Sequence, residues 1–368
     1  MNEIRAKLEG IKYNVLLDKI LKTVDYKDFD INLCPSSFNL KIENNHYGVS
    51  KWVSPKRTRS YPYARVYDTL QYSKRITIIP IVKDEGIEGD RDFIQWDTIS
   101  LMSLLDTFVI LCYYDKATKH PKYKHKITKQ KLDNKIIKQK IDEINSYKSS
   151  ALHWNLQEIK TNFTSLINEV ITSYNKISQT TGVIFHDEIG LTNLKNEFIK
   201  DSNSFIEFSR DKAKDAQTRE VATVHKSEWL DSTSKSLITI KNYLGGEYNF
   251  TVDEINLDSG ILLLIEAKHT KKNLIPSIGD IKDGLIKMIL YSNLCDVKLN
   301  NIEYKYKALL KLTSFKLNGY ISSANLQQID DFCKINNISK FKKDFLIKLL
   351  NEGIKNSFLI EIKSADQS

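Results

Sequence analysis

Cysteine is scarce and scattered. Cys34, Cys112, Cys295 and Cys333 are the only four in 368 residues. They form no C-x-x-C pair and have no histidine at metal-finger spacing, which excludes a disulfide framework and a structural zinc site and suits a reducing cytoplasm. Long apolar runs are missing too. No stretch approaches the ~18 consecutive apolar residues of a membrane span. Met1-Asn2-Glu3-Ile4-Arg5 lacks the apolar core of a signal peptide, so a cytoplasmic protein without a membrane partner is expected. There is no internal repeat and little low-complexity sequence. With 41% hydrophobic residues, the chain can fill more than one core of ordinary domain size. Acids are outnumbered, 46 Asp and Glu against 55 Lys and Arg, for a formal charge of +9. That balance points to a polyanionic partner without separating DNA from RNA.

Residues 1 to about 30 carry helix-like apolar spacing (Ile4, Leu8, Ile11, Leu16, Leu17). Strand-like runs follow at 76–82 and 108–114, giving an N-terminal α+β domain over 1–117. From Lys119 to Lys140 there are nine lysines and one acid, Asp133, which reads as part of a basic linker or arm over 118–150. Helical spacing returns at 151–180 and 203–244, the latter ending at Leu244-Gly245-Gly246, where paired glycines suit a C-cap. A hairpin about Asp258-Ser259-Gly260, a helix at 278–294 and a strand at 305–313 complete a core over 151–316. A helical extension with a final strand occupies 317–368.

The segment Thr251 to His269 carries the chemistry. Its second strand begins as a continuous apolar run, Ile261 to Ile265, and then sets Glu266 and Lys268 two apart, on one face. Desolvated charges in that position pair with each other or serve a site. If Ser259 and Gly260 form a two-residue loop, Asp258 faces Ile261, and counting outward Asp253 faces Glu266. Two carboxylates about 5 Å apart on one face call for a cation between them. A three-residue loop slips the register by one and puts Glu254 there instead.

Asp253, a turn and Glu266-Ala267-Lys268 resemble the D-(x)n-(D/E)-x-K signature of the PD-(D/E)XK nuclease superfamily, and the whole chain is similar to its type II restriction endonucleases. The likeness spans about 205–313; Val252 stands where many members have proline. It implies a central mixed sheet flanked by helices, an α+β/α/β restriction-endonuclease-like core, with Asp253, Glu266 and Lys268 catalytic. It implies Mg²⁺ on Asp253 and Glu266, and Lys268 orienting or helping to deprotonate the attacking water. Many members carry a further glutamate on the preceding helix, for which Glu228 is the candidate third ligand and Glu220 the runner-up. Lys271, Lys272 and Lys282, after the catalytic strand, are phosphate-contact candidates; Lys287 follows on the same helix.

The segment 51–67 interleaves bases and aromatics with two prolines that favour extended backbone. Lys56, Arg57, Arg59, Tyr61, Tyr63 and Arg65 are its DNA-contact candidates. The acids Asp84, Glu85, Glu88, Asp90, Asp92 and Asp97 read as structural or as acceptors from cytosine amines. His186-Asp187-Glu188 reads as a polar loop. The expectation is a Mg²⁺-dependent, sequence-specific double-stranded DNA endonuclease, homodimeric for a palindromic site and accompanied by a cognate DNA methyltransferase. The alternatives are a repair, resolvase or methylation-dependent nuclease on the same core, a non-catalytic DNA-binding protein with a degenerate core, or an RNA-binding module.

Overall fold

The computed structural model describes residues 3–17, 20–55, 61–186, 196 and 236–365. It is a mixed α/β protein of several sheets flanked by helices, in two compact units, one of residues 20–216 and one joining 1–19 to 217–368. Strand β1 (Glu3–Leu8) belongs to the second unit. Its residues alternate exposed and buried, a period of two that overrides the helical spacing expected there.

In the unit 20–216, β2 (Thr23–Asp25), β3 (Ser37–Ile42), β4 (Asn45–Lys51), β5 (Arg75–Pro80) and β8 (Thr107–Cys112) form one mixed sheet in that order. Helix α1 (Tyr61–Tyr67) lies between β4 and β5 in the chain. The ribbon β6 (Val82–Asp84) with β7 (Arg91–Phe93) and helix α2 (Trp96–Leu104) lie between β5 and β8. The basic stretch expected as a linker folds: β9 (Tyr114–Lys119) pairs with β10 (Ile127–Leu132), and α3 (Asn134–Ser146) follows. Asp133 caps α3 by accepting from the amides of Lys135 and Ile136, while Ile137, Ile141 and Ile144 form a buried stripe. Most of the lysines hold the outer faces, while Lys140 is buried against Glu158. Helix α4 (Ala151–Thr181) belongs here too, not with the candidate site. It buries Phe163, Ile167, Val170, Tyr174 and Ile177 and ends at Gly182, left-handed at φ 66°.

The other unit holds two five-stranded sheets. In the first, β12 (Glu247–Val252), β11 (Ser236–Asn242), β1, β15 (Leu294–Leu299) and β16 (Ile302–Glu303) lie in that order. Residues 236–242, expected as the end of a helix, alternate in burial as a strand, and Gly245 at φ 76° serves the turn into β12 rather than a cap. The remainder of that expected helix, 203–235, lies outside the described residues. The second sheet runs β13 (Glu254–Asp258), β14 (Ile261–Thr270), β17 (Lys305–Ser314), β19 (Leu359–Ser364) and β18 (Tyr320–Ser322). Its three middle strands are parallel, with an antiparallel neighbour on each side.

Helix α5 (Ile278–Tyr291) starts at Ser277, whose hydroxyl accepts from the Asp280 amide, and packs on β14 and β17. Helices α6 (Ile329–Ile335) and α7 (Lys340–Lys355) precede β19. Fully buried Glu352 of α7 accepts from the Tyr13 hydroxyl at 2.5 Å and the Leu16 and Leu17 amides at 2.9 and 2.8 Å, fixing the segment after β1. Among the described residues no helix is long and apolar enough to cross a membrane.

Candidate active site

The hairpin closes on a two-residue turn. Asp258 pairs with Ile261 and Glu254 with Ile265, and Ser259 and Gly260 both have positive φ, 50° and 78°. A type I′ turn requires that geometry, which glycine supplies at little cost. Asp253 falls at the bend where the chain leaves β12 in one sheet for β13 in the other. Its Oδ2 accepts from the Ala267 amide at 2.9 Å, and no described residue bonds Oδ1. Glu254 is turned to the opposite face, where both its oxygens take Lys311 Nζ at 2.8 Å. Asp253, not Glu254, therefore shares a side with Glu266.

Glu266 is 1% exposed. Its Oε1 meets Lys268 Nζ at 3.0 Å and its Oε2 meets Lys287 Nζ at 2.6 Å. Lys268 also donates to Asp283 Oδ2 at 2.8 Å, and Lys287 to the Thr251 carbonyl at 3.3 Å. Asp283, Lys287 and Tyr291 stand at i, i+4 and i+8 of α5, one face of the helix. None of these three has a role assigned from the sequence alone. Their spacing is visible in the sequence, but not that this face of the helix packs on β14. Two polar atoms of this face, Asp283 Oδ1 and the Tyr291 hydroxyl, are buried with no hydrogen-bond partner, an arrangement that invites water or a ligand.

Burial would lower the Lys268 ammonium, but the charges of Glu266 and Asp283 outweigh it and hold the group above the ordinary lysine range. Lys287 is raised in the same way, by Glu266 and then Asp253 against burial. Burial pushes the Glu266 carboxyl up, opposed by Lys287 and Lys268 and assisted by Asp253. Burial, then the Glu266 and Asp253 charges, keep the Tyr291 phenol well above its usual value. Lys268 is thus a fixed cation and hydrogen-bond donor. As a base for water it is mismatched.

Among the described residues no group of three or more His, Cys, Asp or Glu side chains gathers as a metal site, and Glu228 and Glu220 lie outside those residues. The donors present still suit magnesium, which commonly takes one or two protein carboxylates and fills its remaining positions with water and substrate phosphate. Asp253, Glu266 and Asp283 formally carry three negative charges against the two positive charges of Lys268 and Lys287, and Asp283 Oδ1 lacks a partner. Asp253 Oδ1 and Asp283 Oδ1 are the carboxylate oxygens here that no described residue bonds.

The remaining sequence candidates are dispersed. Lys271 and Lys272 are exposed just beyond β14. Lys282, expected as a phosphate contact, is instead buried, 5% exposed, on α5. Lys56, Arg57 and Arg59 lie outside the described residues. Tyr61 opens α1, so the segment is not extended here: Pro62 sits in the first turn, where its missing N–H costs nothing. Tyr63 is 2% exposed, its ring edge-on to Trp52 at 5.0 Å, and so has no surface for DNA. Arg65 donates to the Lys51 carbonyl at 2.8 Å. Buried Asp84 accepts from the Gly86 amide at 2.8 Å and contacts His186 Nδ1 at 2.9 Å, a structural arrangement. No family model, curated protein or solved structure matches the chain.

Proposed function

We propose that the protein is a Mg²⁺-dependent, sequence-specific endonuclease of double-stranded DNA, a type II restriction enzyme built on a PD-(D/E)XK core. The observation that carries this reading is the convergence of Asp253, Glu266 and Lys268 at one end of the β13–β14 hairpin. The order hairpin, α5, then β17 parallel to β14 supports it, since in such sheets ligands bind beyond the carboxyl ends of the strands.

Asp253 and Glu266 would hold the metal, which when bound lowers the pKa of water and offsets charge developing on the phosphate. The chain's own groups do the rest. The Ala267 amide fixes one oxygen of Asp253 and leaves the other open. Lys268, pinned between Glu266 and Asp283, presents its ammonium to a phosphate oxygen and stabilises the added negative charge as the water oxygen, giving up its proton to solvent, bonds to phosphorus and the ester P–O bond breaks, the leaving oxygen taking a proton from solvent. Exposed Lys271 and Lys272 lie two and three residues past His269 on the same run of chain, suited to neighbouring phosphates. On this reading the enzyme acts in the cytoplasm as a homodimer on a palindrome, and a partner methyltransferase protects the same site. One observation favours a second reading, a DNA-binding protein with an inactive core: both Glu266 oxygens are already taken by ammonium groups.

Unmethylated plasmid or phage DNA incubated with the purified chain in millimolar Mg²⁺ or in chelator, followed by end-mapping, separates the two. Discrete Mg²⁺-dependent fragments that vanish in Glu266→Ala and Lys268→Ala, with duplex binding retained, are expected. Duplex binding without cleavage on methylated and unmethylated DNA alike selects the inactive core.

A further inference from the structure

A cleft of about 400 Å³ opens in the unit 20–216, within the size range of small-ligand sites. Lys51, Lys83, Lys126 and Lys129 line it and, among the described residues, face one lining carboxylate, Glu85. Glu85 is shared between Lys83 at 2.6 Å and Lys126 at 2.9 Å and can neutralise only one of them. Lys51 Nζ donates to the carbonyls of Ile31 and Cys34, neither of them a counter-charge. Four lysines against one carboxylate give the described lining a formal excess of three positive charges.

The strand beside it is built irregularly. Between Thr128, opposite Thr118, and Lys131, opposite Lys116, β10 carries one residue more than β9, and Lys129 has φ 51°. A regular strand points consecutive residues to opposite sides; this bulge lets Thr128, Lys129 and Gln130 all reach the cleft. Gln130 is held by its amide nitrogen, which donates to the Asp84 carbonyl at 2.6 Å. That bond fixes the amide's orientation and leaves Oε1 buried with no hydrogen-bond partner, so the cleft offers a fixed acceptor beside its cations. An inorganic anion satisfies the lysines and leaves that acceptor unpaired. A ligand that brings both negative charge and an N–H donor satisfies both.

We propose that this cleft binds a nucleotide, its phosphate on the lysines and an N–H of its base edge on Gln130 Oε1. The nucleotide is either free or one unit of a DNA strand turned out of its stack. The test is calorimetric titration of the full chain in chelator, where no metal-dependent hydrolysis intervenes, so that failure to cleave DNA has no bearing on it. The titrants are the four deoxynucleoside 5′-monophosphates and inorganic phosphate, with a duplex carrying one unpaired nucleotide as competitor.

At least one monophosphate should bind tenfold or more tighter than phosphate. Lys129→Ala, at an exposed position, should weaken it roughly tenfold or more, the loss of one charge-assisted hydrogen bond, with Lys126→Ala as a second variant. Competition by the unpaired-nucleotide duplex assigns the site to a DNA unit, and its absence assigns it to the free nucleotide. Phosphate binding as tightly as every nucleotide, no binding at millimolar concentration, or affinity unchanged in both lysine variants overturns the proposal.

Discussion

Replacing Lys287 by methionine probes the ion-pair chain at its driest point. Glu266 is 1% exposed and divides its oxygens between Lys268 at 3.0 Å and Lys287 at 2.6 Å. Methionine retains much of the apolar stem and leaves the carboxylate with one ammonium instead of two. Stranding a buried charge costs roughly 3–5 kcal/mol. Lys268 still reaches Glu266, so a loss of about 3 kcal/mol, the lower end of that range, is expected. Hydrogen exchange of the β14 and α5 amides against urea reads the stability of this unit separately from the other. In the variant, burial and the Asp253 charge push the Glu266 carboxyl up with Lys287 no longer opposing them. A folded carboxyl that holds its proton more tightly than the unfolded chain makes stability fall as pH rises above the unfolded value of about 4.3. The deficit should therefore be largest near neutrality and shrink toward pH 5. Adding Glu266→Gln removes the stranded charge and should restore most of the loss. A deficit below about 1 kcal/mol at pH 7, the level of an exposed pair, refutes the reasoning, as does a double variant as unstable as the sum of the two single changes.

Asp253→Ala should abolish Mg²⁺-dependent cleavage, whereas Glu254→Ala, which loses only a partly exposed pair with Lys311, should retain cleavage and cost about 1 kcal/mol or less; parallel digests of the two variants compare them. Gly260→Ala places a Cβ at φ 78° and should cost roughly 1–2 kcal/mol, measured by the same exchange experiment. Glu352→Ala leaves the Leu16 and Leu17 amides without their acceptor and should destabilise the unit by about 2 kcal/mol or more, seen as faster exchange at those amides. The logarithm of the duplex association constant should fall linearly with the logarithm of salt concentration in a filter-binding series, as lysine contacts to phosphate require.

The elements legible in the sequence were those whose signals are local. The apolar run into Glu266, the Ser259-Gly260 turn, the helix from residue 278 and the strand at β17 each declare themselves within a few residues. Where two periods compete, the reading failed: Ile4, Leu8 and Ile11 fit a helix as well as Ile4, Ala6 and Leu8 fit a strand, and only pairing with β11 and β15 decides. The lysines of 119–140 concealed a stripe of isoleucines, and Lys140 is buried because Glu158 of α4 waits for it at 2.5 Å. At the candidate site the strand half was readable and the helix half was not. Asp283 and Lys287 acquire their partners only when α5 lies across β14.

The position of β1 governs how this protein can be made and cut. It lies between β11 and β15 in the middle of a sheet, and its partners follow it by more than two hundred residues, beyond the whole unit 20–216. During synthesis the inner unit can fold while β1 waits unpaired, and the sheet forms only after β15 has emerged. A fragment starting at residue 217 would keep Asp253, Glu266 and Lys268 yet expose the facing edges of β11 and β15, a template for aggregation. A minimal form therefore has to join residues 1–19 to 217–368, the two segments of this unit.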